Sequence, residues 1–264
     1  MALRKLGACV VLASSVFIGG ATASGADSTP RFSLSVTAAT VDDDLALRVE
    51  TAPRPGQREV RLYLVPAGVA ASTIRSRTDS RLSFIGFARG SRGARLVFTV
   101  PPLETGSYAL AYWCRGCLPR GTSIAIQRAP KLRVSAPTGE GCATTKPNRH
   151  VPPGAPHISG AHWHGNGALW VWLRPDGILT TNALGGDKKP WVGRGWEGGP
   201  LSVQYRRLDP PSAPVTAGVV SGTLGGYDGP SWASRMSFQP GCWQITGRLW
   251  DVSLSFVVQV ELGN

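Results

Sequence analysis

Residues 103–117, LETGSYALAYWCRGC, carry a strict period of two. Tyr108, Leu110, Tyr112 and Cys114 fall on one face and Ala109, Ala111 and Trp113 on the other, the repeat of an extended chain in a sheet. The strand closes at Cys114, because Arg115-Gly116-Cys117-Leu118-Pro119-Arg120-Gly121 is turn chemistry without helical period.

Runs of the same kind lie on both sides. FSLSVTA (32–38), LALRVE (45–50), EVRLYLVP (59–66), RLSFIGFA (81–88), ARLVFTV (94–100) and SIAIQ (123–127) are short, rich in β-branched or aromatic residues, and separated by turn residues. Together with GSYALAYWC (106–114) they suggest a sandwich of about seven strands. The pattern resumes in ALWVWL (168–173), GILTT (177–181), LSVQYRRL (201–208), SWASRMSF (231–238), CWQITGRLW (242–250) and VSLSFVVQVEL (252–262). In the last run Val252, Leu254, Phe256, Val258, Val260 and Leu262 form the core face, and Trp250-Asp251 falls in the hairpin turn before it. The 33 Gly and 21 Pro of the 264 residues suit many short strands joined by turns. The expected fold class is all-β, with two tandem β-sandwich domains.

Between the two sets, residues 134–158 (VSAPTGEGCATTKPNRHVPPGAPHI) show neither period. The domain boundary is placed near Ser135, giving a first domain at 24–135, a linker and start of the second at 136–158, and a Trp-rich domain at 159–264. Residues 1–23 read as a cleaved signal peptide: Arg4 and Lys5, an apolar stretch over 6–20, and Ala21-x-Ala23 as cleavage site. No later run reaches the roughly 20 apolar residues of a membrane span. The chain is therefore expected to be exported, without an integral span in its mature form.

Export changes the cysteine reading. Cys9 is lost, and Cys114, Cys117, Cys142 and Cys242 remain, an even number in an oxidising compartment. Trp113-Cys-x-x-Cys resembles the thioredoxin dithiol, but such a dithiol needs a helix N-terminus at its first cysteine, and a strand end stands there instead. Cys114 with Cys117 and Cys142 with Cys242 are the expected structural bridges.

Leu103-Glu104-Thr105-Gly106-Ser107-Tyr108 resembles the tyrosine corner of immunoglobulin-like domains, where an acid-x-Gly-x-Tyr turn enters the penultimate strand. The resemblance implies an Ig-like or fibronectin-like sandwich. Leu110 stands where antibodies carry a cysteine, so the intersheet disulfide is not implied. In the second half, His164-Gly-Asn-Gly-Ala-Leu-Trp170, Arg207-Leu-Asp209 and Gly241-Cys-Trp-Gln-Ile-Thr-Gly-Arg248 resemble a secreted β-sandwich family of high-GC Gram-positive bacteria. That resemblance implies fold and export and carries over no catalytic residue.

The formal charge of +12 is uneven. Residues 24–135 hold 16 Lys and Arg against 8 Asp and Glu, net +8, whereas 136–264 hold 10 against 8, net +2. Arg75, Arg77, Arg81, Arg89, Arg92 and Arg95 crowd into 21 residues, a surface suited to anionic glycans, teichoic-acid-like polymers or lipid head groups. Export and the lack of a reading motif argue against nucleic acid. Trp191 and Trp196, with Lys188, Lys189 and Arg194, lie in GGDKKPWVGRGWEGGP (185–200), a Gly-rich stretch expected to be a loop that could stack on sugar rings. Hydrolase and phosphate-loop signatures are absent, and the acids Asp176, Asp187, Glu197 and Asp209 show no spacing that specifies a catalytic pair. His162 and His164 could share a strand face and hold a metal, although no acid is near them in sequence. The expected function is an exported, non-enzymatic binding or interaction module for cell-wall glycans or anionic polymers, without cofactor. A carbohydrate-active enzyme and a metal or redox envelope protein are the alternatives.

Overall fold

The computed structural model describes residues 29–52, 59–89, 91–135, 141–155, 162–181, 186–194, 199–222 and 227–263, and the side chains of 186–188 are not described. The expected signal peptide and Trp196 lie outside these residues. The N-terminal half forms β1 (Arg31–Leu34), β2 (Ala38–Thr40), β3 (Asp44–Thr51), β4 (Val60–Pro66), β5 (Ser83–Ala88), β6 (Arg95–Thr99), β7 (Gly106–Cys114) and β8 (Ala125–Ser135). The C-terminal half forms β9 (His162–Gly165), β10 (Leu169–Leu173), β11 (Ile178–Thr181), β12 (Gly186–Gly193), β13 (Leu201–Arg207), β14 (Val215–Thr216), β15 (Gly218–Gly222), β16 (Ser231–Ser237), β17 (Gly241–Leu249) and β18 (Val252–Leu262). The protein is all-β, two tandem sandwiches, as its alternating runs predict.

In the N-terminal sandwich a three-stranded sheet, β1-β3-β6, faces a five-stranded one, β2-β8-β7-β4-β5. The tyrosine corner is present: the Tyr108 hydroxyl donates to the Glu104 carbonyl at 2.8 Å, which fixes the entry into β7. In the C-terminal sandwich β15-β16-β12-β10-β9 faces β11-β18-β17-β13-β14. Cys114 is bridged to Cys117 across the turn after β7, with Cα atoms 5.6 Å apart. Cys142 is bridged to Cys242 with Cα atoms 5.3 Å apart, tying the start of the second half to β17.

The Gly-rich stretch expected as a loop is in part a strand. The stretch from 185 contains β12, which pairs with both β10 and β16. Its glycines do not keep it out of the sheet, because the apolar side chains of Trp191 and Val192 are both fully buried and reward pairing.

The two sandwiches share a core. Leu62, Leu64, Leu110 and Leu132 point into the N-terminal sandwich, whereas Tyr63, Val65, Ala109 and Ala111 of the same sheet join a cluster that continues through Leu169, Trp191 and Phe256 of the other half. The five-stranded N-terminal sheet is thus covered on both faces. This accounts for β4, in which every residue from Val60 to Val65 is buried and the antiparallel alternation of apolar and polar positions is lost.

Candidate binding cleft and the lock beside it

The β17–β18 hairpin delivers a carboxylate into the junction between the halves. Trp250 takes a φ of 55°, left-handed geometry that costs roughly 1–2 kcal/mol for a non-glycine residue, and the turn sets Asp251 against the outer face of β4. Asp251 accepts from the Arg61 guanidinium, from the Tyr63 hydroxyl at 2.8 Å and from Arg77 at 3.2 Å. Arg61, Tyr63 and Asp251 are each buried. Burial first, and the neighbouring Asp251 charge second, hold the Tyr63 phenol far above its ordinary pKa, so it acts only as a donor. Arg77 also stacks on Trp113 at 4.0 Å from the ring centroid. This group is a lock between sandwiches. Its sequence signal was the turn pair Trp250-Asp251 together with an arginine, Arg61, inside an otherwise apolar strand.

Beside the lock lies an open cleft of about 470 Å³, within the range of roughly 300–1,000 Å³ typical of ligand pockets. Its N-terminal wall comprises Phe87 and Arg89 from the end of β5 and Arg95, Leu96, Val97 and Phe98 of β6. The opposite wall comprises His150, Val151 and Pro153, the β9–β10 turn at Asn166 and Gly167, Trp170, and Arg194 just after β12. Arg61, Arg89 and Arg194 sit over the Phe87 ring at 5.7, 5.9 and 5.3 Å from its centroid. Glu59 approaches Arg89 at 3.5 Å and Arg194 at 3.8 Å, yet no carboxylate lines the cleft among the described residues. The result is an apolar floor rimmed by positive charge, with Val97 45% and Val151 59% exposed.

The predicted site residues are distributed differently from their grouping in sequence. Trp191 is fully buried: its indole N–H donates to Ser234 Oγ at 2.9 Å, its ring packs on Phe256, and a Cβ at Gly247 would come within 2.5 Å of it. Trp191 therefore offers no face to a sugar. Its partner in that expectation, Trp196, lies outside the described residues, as does the Lys188 side chain, and Lys189 is buried. Among the described side chains of this group, Arg194 alone lines the cleft. Of the arginine run, Arg89 and Arg95 join it there, Arg75 is exposed, and Arg77 belongs to the lock. Arg81 is held by Asp79 at 2.7 Å and donates to the Thr73 carbonyl; its hydrogen bonds hold Asp79 down at a pKa of about 2.

The histidines separate as well. His162 is exposed at the start of β9, whereas His164 is buried with its pKa pushed down to about 4 by burial. Among the described residues no three His, Cys, Asp or Glu side chains come together in a way that could hold a metal ion. Asp209 accepts from the Cys242 amide at 2.6 Å and Asp176 from the Ile178 amide at 2.9 Å, so both acids are engaged in holding turns.

No family model matches the chain, and no curated protein sequence matches it. The expected kinship with a secreted Gram-positive family therefore finds no counterpart. Among solved structures the chain is similar to a marsupial T cell receptor, at 9% identity over 87% of this chain and 95% of that one, with a TM-score of 0.27. It is similar also to the titin domains Z1Z2 in complex with telethonin, at 12% identity over 89% and 98%, with a TM-score of 0.21. A third likeness is to the BSP domain of a biofilm-associated protein, at 10% identity over 89% and 29%, with a TM-score of 0.23. Likenesses this distant carry no residue role or partner to this chain, and the fold stands on its own sheet topology.

Proposed function

We propose that the protein is an exported, non-catalytic binding module whose ligand is an extended anionic polymer of the cell envelope. One observation carries this reading: Arg89 and Arg95 from one sandwich and Arg194 from the other line a single open cleft that has no carboxylate in its described lining. The net +8 of residues 24–135 adds a long-range field that draws polyanions toward it. Export is supported by the basic and apolar start of the sequence and by the two disulfides. The neutral-sugar part of the expectation loses its main support with the burial of Trp191.

The test is titration of labelled polyphosphate and of a uronic acid polymer into the mature protein at rising salt. Affinity should fall steeply once the Debye length drops below about 10 Å, its value near 0.1 M. Absence of binding at low salt, or binding indifferent to salt, would overturn the proposal.

A further inference from the structure

The strand along the cleft specifies which anionic polymer it takes, an inference that rests on the polymer reading above. β6 terminates its sheet, and among the described residues no strand pairs with its outer edge. The bonds around its ends fix its phase. The Val100 amide donates to the Asp43 carbonyl, the Asp42 amide to the Val100 carbonyl, and the Val49 amide to the Ala94 carbonyl. Counting in steps of two, Leu96 and Phe98 bond inward to β3, and Arg95, Val97 and Thr99 turn their main-chain N–H and C=O outward. Thr99 is partly closed off, since Asn148 donates to its hydroxyl at 3.3 Å.

Side chains on a strand alternate between faces, yet Arg95, Leu96, Val97 and Phe98 all line the cleft. A cavity that touches four consecutive residues runs along the edge of the strand rather than across one face. Exposed Val97 and exposed Val151 both line it.

We propose that the cleft accepts an extended acidic polypeptide segment, which adds as a further strand to β6. Such a segment would pair its main chain with Arg95 and Val97, rest small apolar side chains on Val97 and Val151, and bring carboxylates to Arg89, Arg95 and Arg194. A phosphate or uronate polymer answers the arginines equally well but has no ladder of alternating N–H and C=O groups. The five residues of β6 span about 17 Å at about 3.3 Å per residue, so the contact involves a comparably short stretch of the partner.

Fluorescence anisotropy tests this with a short labelled peptide alternating Glu with Val and Thr, and with labelled polyphosphate. On the wild-type protein, N-methylating the alternate amides along one edge of the peptide should weaken binding roughly tenfold or more, and methylating the other edge should not. Val97→Pro, which removes an outward N–H and no inward bond, should weaken the peptide similarly and leave polyphosphate unchanged. Peptide binding indifferent to both changes would overturn the strand addition while leaving the anionic-polymer reading intact. If neither peptide nor polyphosphate binds, both fall. The methylated peptides need no mutant, so the test stands even if Val97→Pro fails to fold.

Discussion

Replacing Asp251 by alanine removes the carboxylate that three partners share and leaves Arg61 buried at the junction with Glu59 as a remaining ion-pair partner. The magnitude follows from burial. Truncating one partner of a buried ion pair costs about 3–5 kcal/mol, because the remaining charge is stranded away from water. Asp251 and Arg61 have side chains only 5% and 8% exposed, which places this pair in that class. Arg77, at 35%, is solvated and adds about 1 kcal/mol at most. Because Glu59 still faces Arg61 at 3.4 Å, the expected loss for Asp251→Ala is at most about 3–5 kcal/mol, and for Arg77→Ser about 1 kcal/mol plus its stacking on Trp113. Urea unfolding followed by tryptophan fluorescence measures both. The wild type, with its shared core, should unfold in one transition, whereas Asp251→Ala should shift the midpoint strongly and separate the sandwiches into two steps. A loss below about 1 kcal/mol with a single unchanged transition would refute the claim that the lock joins them.

The remaining predictions concern the core, the bridges and pH. Trp191→Ala should lower stability by about 3–5 kcal/mol and leave polyanion affinity unchanged, as measured by unfolding and titration side by side. Non-reducing mass spectrometry should find no free thiol in the mature protein. Replacing Cys142 and Cys242 by Ser, which opens a sequence separation of 100, should cost roughly 4–5 kcal/mol in the chain-entropy model, far more than replacing Cys114 and Cys117, separated by 3. Two groups near the junction give opposite pH slopes. Burial raises Asp42 from 3.8 to about 6, so the folded state holds the proton longer and stability falls as pH rises across that window. Burial lowers His164 from 6.5 to about 4, so the folded state resists protonation and stability rises with pH across an overlapping window. Asp42→Asn should therefore leave a protein that gains stability between about pH 4 and 6.5, and His164→Gln one that loses it between about pH 4 and 6, both read by melting temperature against pH.

The strands were legible because alternation is local: Val252, Leu254, Phe256, Val258 and Val260 of β18 are buried as period two predicts, and the entry of β7 follows from the turn before Tyr108. Within β18, Leu262, expected on the core face, is exposed near the strand end, and Ser253, expected to face water, is buried where it accepts from the Phe84 amide of the other half. The burial of Trp191 was not legible, since a Gly-rich neighbourhood reads as a loop until the vacancy above Gly247, in a strand more than 50 residues away, is known to receive the ring. The cleft shows the same limit. Arg89 and Arg95 were visible as part of a basic run, but nothing in sequence joined them to Arg194 or separated them from Arg77 and Arg81, which Asp251 and Asp79 hold at positions outside the cleft lining. The apolar second face of β7, with Ala109 and Ala111, is present in the sequence pattern and is the signal from which the shared core follows.

The central claim is that anionic polymer binds in the cleft and not merely to a positive protein, and a matched-charge comparison tests it most directly. One variant carries Arg89, Arg95 and Arg194 as Ser; the other carries Arg75, Arg115 and Arg120 as Ser, an equal loss of charge at exposed positions outside the cleft. Titrated with labelled polyphosphate at one low salt concentration, the first variant should lose most of its affinity and the second should retain nearly all of it. Equal losses in the two variants would show that only net charge is sensed and would contradict the cleft as the binding site.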